Sequence, residues 1–406
     1  MWFYVQHLLI GHQKAEAELR GIPRGNLSDL YPRWLGAREL LLHHRDPYSP
    51  ELTREIQAGY YGRPLDATRL NDPKDEQRFA YPVYVVFLLA PTVDLPFPVV
   101  QTGFRWLLVI LTASSVWLWL RVLKWHIACS TQMILVLLVV FSFPALQGIK
   151  LQQLSLLVAA FVAGALLLIE GHLAAAGVLL ALATIKPQLL LLLCAWILLW
   201  TCGDWRRRQN VVWGFVATMA TLLGGSEYIL PGWFGRFREA ISAYRQYSGG
   251  AESGLEVLLT PWGGRIAALG LLWALALVCW RYRRTPAGSA DFSRILALVL
   301  TATVMVVPKA APYNQVLLIP GVFLVLQHWG TLSAQRLAIR MALWICALVV
   351  LWPWLAAFVL ALASLLVPAS TLQRAWALPI YTTFTTPMAV LVVVICLWRM
   401  GETARP

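Results

Sequence analysis

From residue 97 to its end the chain alternates between apolar runs and short polar links, whereas residues 26–82 form one long polar segment. The apolar runs are Phe104–Leu123, Ile127–Leu146, Leu154–Ile169, Leu173–Thr201, Val211–Leu230, Ile266–Trp280, Ile295–Val307, Val316–Gln327, Leu343–Val367 and Ala377–Trp398. Several approach the ~20 residues a helix needs to cross a hydrocarbon core. Leu173–Thr201 is too long for one untilted crossing, since ~29 residues would reach ~43 Å. Lys186-Pro187 interrupts it. The pattern therefore predicts two short helices meeting at a turn, over the alternative of one tilted, kinked helix with a snorkelling lysine. Ahead of these runs, Tyr81–Leu95 is apolar but broken by Pro82 and Pro91, which predicts a short surface helix or half-span. Met1–Ile10 is apolar and too short to span. It is expected to be a truncated first transmembrane helix.

Composition supports this picture. The chain is 59% hydrophobic and 13% charged, where soluble domains carry nearer a quarter charged residues. The fold class expected is an all-α polytopic membrane protein. The net charge of +13 raises nucleic acid as a partner, but the arginines sit in short clusters between apolar runs, as the positive-inside rule requires. Nucleic-acid binding is therefore not expected, and the 20 tryptophans fit interfacial belts. The six cysteines lie in or at the ends of apolar runs without a C-x-x-C pair, which points to small buried hydrophobes and to neither zinc nor disulfides.

Charge then orients the runs. With the polar segment placed outside, Arg121/Lys124, Arg206–Arg208, Arg281–Arg284 and Arg336/Arg340 fall inside. The links 147–152, 231–262, 308–315 and 368–376 fall outside. The organisation expected is 1–10 as the truncated helix, 11–96 as an outer catalytic loop with short amphipathic juxtamembrane helices, and 97–406 as a transmembrane bundle. Smaller outer loops lie at 231–262 and 308–315. This parity brings the Asp29 segment, Gln147–Gln153, Lys186, Arg236–Arg245 and Lys309–Gln315 to one face.

On that face Asp29 precedes an amphipathic stretch, Leu30–Leu42. Ser28-Asp29 reads either as a helix N-cap or as the site of a general base that takes a proton from a sugar hydroxyl. Arg33 and Arg38 follow on the same helix, and arginine forks suit a phosphate leaving group, although solvated surface charge is the competing account. Lys186 lies inside an apolar run, where a charge marks function. Tyr48 and Tyr81 fit either sugar stacking or the interfacial belt. Asn314 and Gln315 either meet an acceptor or hold helices together. Asp29 alone is not a cluster of hard oxygen ligands, so no required metal is expected, and a role for Asp46 as a second carboxylate would reopen that question.

The order Ser28-Asp29-Leu30-Tyr31, Gly36-Ala37, Leu41-Leu42, Asp46-Pro47-Tyr48 and Phe79-Ala80-Tyr81-Pro82 resembles the first-loop signature of glycosyltransferase family 87. Leu151-Gln152-Gln153-Leu154-Ser155-Leu156-Leu157 resembles its G-Q-x-[NS]-L-L element. Ala176–Pro187 resembles its A-G-x-x-x-[GA]-x-A-x-x-K-x-x-P element, with the lysine and proline adjacent here instead of spaced. Ala311-Pro312-Tyr313-Asn314-Gln315 is similar to its S-P-x-x-W-x-H element, without the histidine. The resemblance runs from about Asn26 to about Pro320. It implies a GT-C-type bundle of about ten to twelve transmembrane helices. It also implies inverting transfer of a hexose, mannose in the relatives, from a polyprenyl-phosphate donor to a lipid or glycan acceptor. The expected location is the outer face of the cytoplasmic membrane. Asp29 would be the catalytic base, Lys186 with Arg33 and Arg38 would hold the donor phosphate, and Tyr31, Tyr48, Tyr81, Gln153, Asn314 and Gln315 would line the substrates. No cofactor is implied. The rival classes are a flippase of lipid-linked sugars, which predicts pseudo-symmetric halves that the sequence lacks, and a non-catalytic subunit of an envelope-assembly complex.

Overall fold

The computed structural model describes residues 1–19, 28–66, 68–69, 72–73, 75–247, 252–308 and 310–403. Asn26 and Lys309, named above, lie outside the described residues. Every regular element among the described residues is helical, as expected of an all-α polytopic membrane protein. After α1 (Ile10–Leu19), the polar segment holds α2 (Tyr31–His43) and α3 (Pro50–Tyr61), followed by the short α4 (Val85–Leu89). The bundle begins with α5 (Phe97–Val122), α6 (Cys129–Val140), α7 (Phe143–Leu151) and α8 (Leu154–Leu168). It continues with α9 (Leu173–Ala183), α10 (Pro187–Cys202), α11 (Trp205–Ile229), α12 (Trp233–Tyr247) and α13 (Gly254–Leu258). Then come α14 (Pro261–Arg281), α15 (Ala290–Val306), a 3-10 turn over Pro312–Leu318 and α16 (Ile319–Gln327). The chain closes with α17 (Trp329–Ser333), α18 (Leu337–Ala363), α19 (Ala369–Leu372) and α20 (Thr386–Thr403).

Among the described residues, α5, α14 and α18 are long and apolar enough to cross a membrane alone, and α6 with α7 makes a fourth crossing if that pair, bent by 57°, is one span. Leu154–Leu168, Leu173–Ala183, Pro187–Cys202, Pro312–Gln327 and Thr386–Gly401 are shorter apolar helices. Full-length crossings are thus fewer than the apolar runs suggested, because prolines and polar links cut several runs into pieces. The N-cap at Ser142, which accepts from Ala145 N, restarts the chain after one such break.

The break at Thr184–Lys186 positions the site. Proline at the first turn of α10 disfavours helical backbone in the residue before it, and Lys186 adopts φ −124°, ψ 76°. The freed carbonyl of Thr184 accepts from Tyr84 Oη at 2.9 Å, and Thr184 Oγ1 lies 3.2 Å from the same hydroxyl. A broken helix is tolerated in an apolar setting when its backbone is re-satisfied in this way. The chain reverses at this break, as α9 and α11 show by running side by side. A Cβ on Gly177 would sit 2.1 Å from Val211 O, one on Gly214 2.1 Å from Ala174 O, and Thr184 Oγ1 lies 3.4 Å from Met219 Sδ. Small residues let the two backbones approach this closely. α10 therefore returns to the level at which α9 began, as the two-helix expectation required.

Two polar ends result. One gathers Lys124–Glu170, 3.3 Å apart, with Arg208 bonded to carbonyls of Trp200 and of Arg283–Thr285. The other gathers Lys186, the α7/α8 junction, the 312–318 turn, the polar segment and α12. α12 is fastened to the polar segment by Arg236–Asp46 at 3.0 Å and Tyr244 Oη–Asp75 at 3.0 Å.

Candidate active site

The site is built on the α7/α8 junction. Gln152 takes the left-handed conformation (φ 49°, ψ 50°) and turns its own amide back onto the carbonyls of Ile149 (2.7 Å) and Lys150 (2.6 Å). Those carbonyls lie in the last turn of α7, where intrahelical donors run out, and Ile149 O also accepts from the backbone N–H of Gln152 at 3.3 Å. The adjacent carbonyl of Leu151 accepts from the backbone N–H of Asp29 at 3.0 Å, which pins the polar segment to the bundle. The next residue, Gln153, is consequently buried (1% exposed) and faces Asp29.

From Asp29 a chain of hydrogen bonds runs across four elements. Tyr60 of α3 donates to Asp29 Oδ1 at 3.3 Å, and the Gln153 amide donates to Asp29 Oδ2. Lys186 Nζ donates to Gln153 Oε1 at 2.7 Å and to Ser155 Oγ at 2.8 Å. Ser155 donates to Asn314 Oδ1 at 2.8 Å, and Tyr313 presents its ring 5.0 Å from Lys186 Nζ. Two hydrogen bonds of ~2.9 Å across one amide hold the carboxylate and the ammonium within roughly 8 Å of each other. Asp29 does not cap α2: Leu30 is the N-cap, and Ser28 Oγ accepts from Leu30 N at 3.3 Å. Of the two accounts of Ser28-Asp29 weighed above, the N-cap is therefore not how Asp29 is used.

Arg33, one turn into α2, is 9% exposed. Its Nη2 donates to Tyr81 Oη at 2.7 Å and its guanidinium lies 4.1 Å from the Tyr81 ring centre, while Nε and Nη1 are buried with no hydrogen-bond partner among the described residues. Buried donors on a permanent cation are costly unless something accepts from them.

Burial pushes the Asp29 carboxyl above the usual range. The Arg33 guanidinium pulls it back, Asp75 raises it further, and Lys186 and the Tyr60 hydrogen bond lower it. Asp75 is held by Tyr244 and by Gln77 Nε2 at 3.1 Å. Desolvation and the neighbouring charges thus act on the Asp29 carboxyl in opposite directions.

The remaining sequence candidates lie elsewhere. Arg38 stacks on Trp34 at 5.5 Å. Tyr31 packs on Gly59, where an added Cβ would meet its hydroxyl at 2.1 Å. Tyr48 donates to the Tyr81 carbonyl at 2.6 Å and sits edge-on to Phe79, so it supports Tyr81 from behind. Gln315 donates to the Thr383 carbonyl. Asp46, raised above as a second carboxylate, pairs with Arg236 and accepts from Tyr48 N at 2.9 Å; the carboxylate that Asp29 senses is Asp75. Tyr60, Asp75, Ser155, Tyr313 and Tyr244 escaped the sequence reading. Ser155 and Tyr313, each inside a quoted motif, carried a signal there.

Two apolar cavities flank the network. The larger, about 540 Å³, lies among α6, α16, α18 and α20 and reaches Gln315 and Val316. The smaller, about 240 Å³, is bounded by Tyr84, Phe87, Phe161, Leu182, Ile185 and Leu222. The larger is lined by no Asp, Glu, His, Lys or Arg side chain.

The protein is an all-helical membrane bundle in which a desolvated carboxylate and a buried ammonium are joined through one amide. The model of glycosyltransferase family 87 matches residues 79–308, more than half of the chain, and the protein belongs to that family as a membrane glycosyltransferase. No curated protein and no solved structure matches the chain. The matched span contains Tyr81, Gln153 and Lys186. Asp29 and Arg33 precede it and are tied to it by the hydrogen bonds above.

Proposed function

We propose that this glycosyltransferase moves a hexose, mannose, from a polyprenyl-phosphate donor to a lipid or glycan acceptor, with inversion, at the outer face of the cytoplasmic membrane. The observation that carries the reading is the junction of Asp29 and Lys186 through a single amide. Asp29 takes the proton from an acceptor hydroxyl. The hydroxyl oxygen bonds to the anomeric carbon as the bond from that carbon to the phosphate oxygen breaks. The electron pair leaves with polyprenyl phosphate, whose charge Lys186 and the two unpartnered donors of Arg33 take up. The smaller cavity receives the first part of the prenyl chain, because Ile185 in its wall adjoins Lys186. No cofactor enters this scheme. The outer-face assignment rests on the segregation of Arg208, Arg283 and Lys124 to the opposite end. Transfer from polyprenyl-phosphate-mannose in proteoliposomes tests the reading. Asp29→Asn is expected to lower it by roughly 10²- to 10⁴-fold with donor binding retained, and undiminished transfer by that variant overturns it.

A further inference from the structure

We infer that Gln153 is a positioning residue that couples the base to the donor site: it fixes the Asp29 carboxylate through its Nε2 and the Lys186 ammonium through its Oε1. The inference rests on the roles proposed above for Asp29 and Lys186.

The geometry admits one orientation of this amide. An ammonium can only donate, so the atom facing Lys186 Nζ at 2.7 Å is the carbonyl oxygen, and the NH2 group is thereby turned to Asp29. At 1% exposure the side chain is shielded from bulk solvent. Its backbone is anchored on both sides, since Gln153 N donates to the Gly148 carbonyl at 2.8 Å and the Gln153 carbonyl accepts from Leu156 N at 3.3 Å. Close packing keeps the junction there: a Cβ on Gly148 would sit 2.1 Å from Leu156 Cδ1. Gln153 therefore reports the position of one functional group to the other through a rigid link.

A donor N–H on a carboxylate favours its ionised form. Gln153 therefore holds Asp29 ready as a base, against burial and against Asp75. The charged or titratable groups facing Asp29 are Arg33 from α2, Tyr60 from α3, Asp75 from the following segment, Lys186 from the α9/α10 break and Tyr313 from the 312–318 turn. Gln153 is the neutral member that touches both the acid and the ammonium.

The test is the pH profile of kcat/KM for transfer from polyprenyl-phosphate-mannose by Gln153→Leu and the near-isosteric Gln153→Glu. For Gln153→Leu, kcat should fall roughly tenfold to a hundredfold, the loss expected for one hydrogen bond to an ionised group, and the acidic limb should move to higher pH. Gln153→Glu replaces the donor with a second carboxylate while keeping an acceptor for Lys186. Its acidic limb should move further in the same direction, and donor KM should rise as well, because the new carboxylate competes with the donor phosphate for Lys186. An acidic limb that stays in place, or a change confined to donor KM, overturns the inference and leaves Gln153 a donor contact. Should Gln153→Leu fail to fold, the limb of Gln153→Glu decides alone. Asp29→Asn separates the premises: if that variant is inactive while the Gln153 limb is unmoved, the coupling fails and the base survives.

Discussion

Gly36 leaves no room for a side chain against Phe79: a Cβ there would sit 2.3 Å from Phe79 Cδ2 and 2.9 Å from Cε2. The phenyl ring is fully buried in the main core and edge-on to Tyr48. Arg33 lies three residues before Gly36 on α2, and its partner Tyr81 lies two residues after Phe79. The contact thus sets the distance between the two walls that hold the guanidinium. Gly36→Ala should force the two walls apart and destabilise the fold by about 1–3 kcal/mol, the usual cost of overpacking. Thermal unfolding in detergent and donor KM are the measurements, and an unchanged KM would show that the spacing does not matter to the site.

The charges around Asp29 make a prediction of opposite sign for two neighbours. Asp75 raises the Asp29 carboxyl and Arg33 lowers it. A base must be ionised, so the acidic limb of the kcat/KM profile follows that carboxyl. Asp75→Asn removes a like charge and should move the limb to lower pH. Arg33→Met removes an opposite charge and should move it to higher pH while weakening donor binding. The two profiles, measured together, test the assignment of the base without relying on the size of either rate.

What the sequence revealed followed from periodicity and from charge in unexpected places. The reversal at Lys186-Pro187 was legible because proline constrains the residue before it and because a lysine within an apolar run stands out. Asp29 stood out as the acid beside an amphipathic stretch, though its spacing alone favoured a capping role, until Ser28 and Leu30 were seen to manage that turn. Asp75 could not be chosen from among the carboxylates of residues 29–76. Its placement depends on Tyr244, 169 residues away on a helix that docks through Arg236. Tyr60 was hidden for the same reason, since α3 reaches Asp29 only through tertiary packing. Conversely, Arg38 and Gln315 had the right chemistry at the right end, but their side chains are taken by Trp34 and by the Thr383 carbonyl.

Lys186 should behave as a donor-binding residue. It is 5% exposed and satisfied by Gln153 and Ser155. Lys186→Met strands both acceptors and removes the cation, so donor KM should rise by roughly tenfold or more, as for loss of a charge-assisted hydrogen bond. Binding of polyprenyl phosphate alone should fall in parallel. A variant that keeps full affinity for polyprenyl phosphate removes Lys186 from the phosphate site.

Arg208 provides the contrasting case at the opposite end of the bundle. Its Nη1 donates to the carbonyls of Trp200 (2.6 Å) and Arg283 (2.9 Å), its Nη2 to those of Arg284 (3.3 Å) and Thr285 (3.0 Å), and its guanidinium stacks on Trp200 at 4.0 Å. These carbonyls end α10 and follow α14, so one side chain ties the two helix termini together. The planar fork explains why arginine stands here: an ammonium is a single point and cannot reach four acceptors spread in this way. Arg208→Lys should therefore lose most of the tie, and Arg208→Met all of it. Either should lower the midpoint of thermal unfolding in detergent, by an amount consistent with about 1.5–3 kcal/mol for each charged hydrogen bond that is not replaced by water. Because the residue lies at the end away from Asp29, donor KM and the acidic limb should remain where they are. A lowered kcat with an unmoved unfolding midpoint would mean that the two ends communicate, and that Arg208 is more than a fastening.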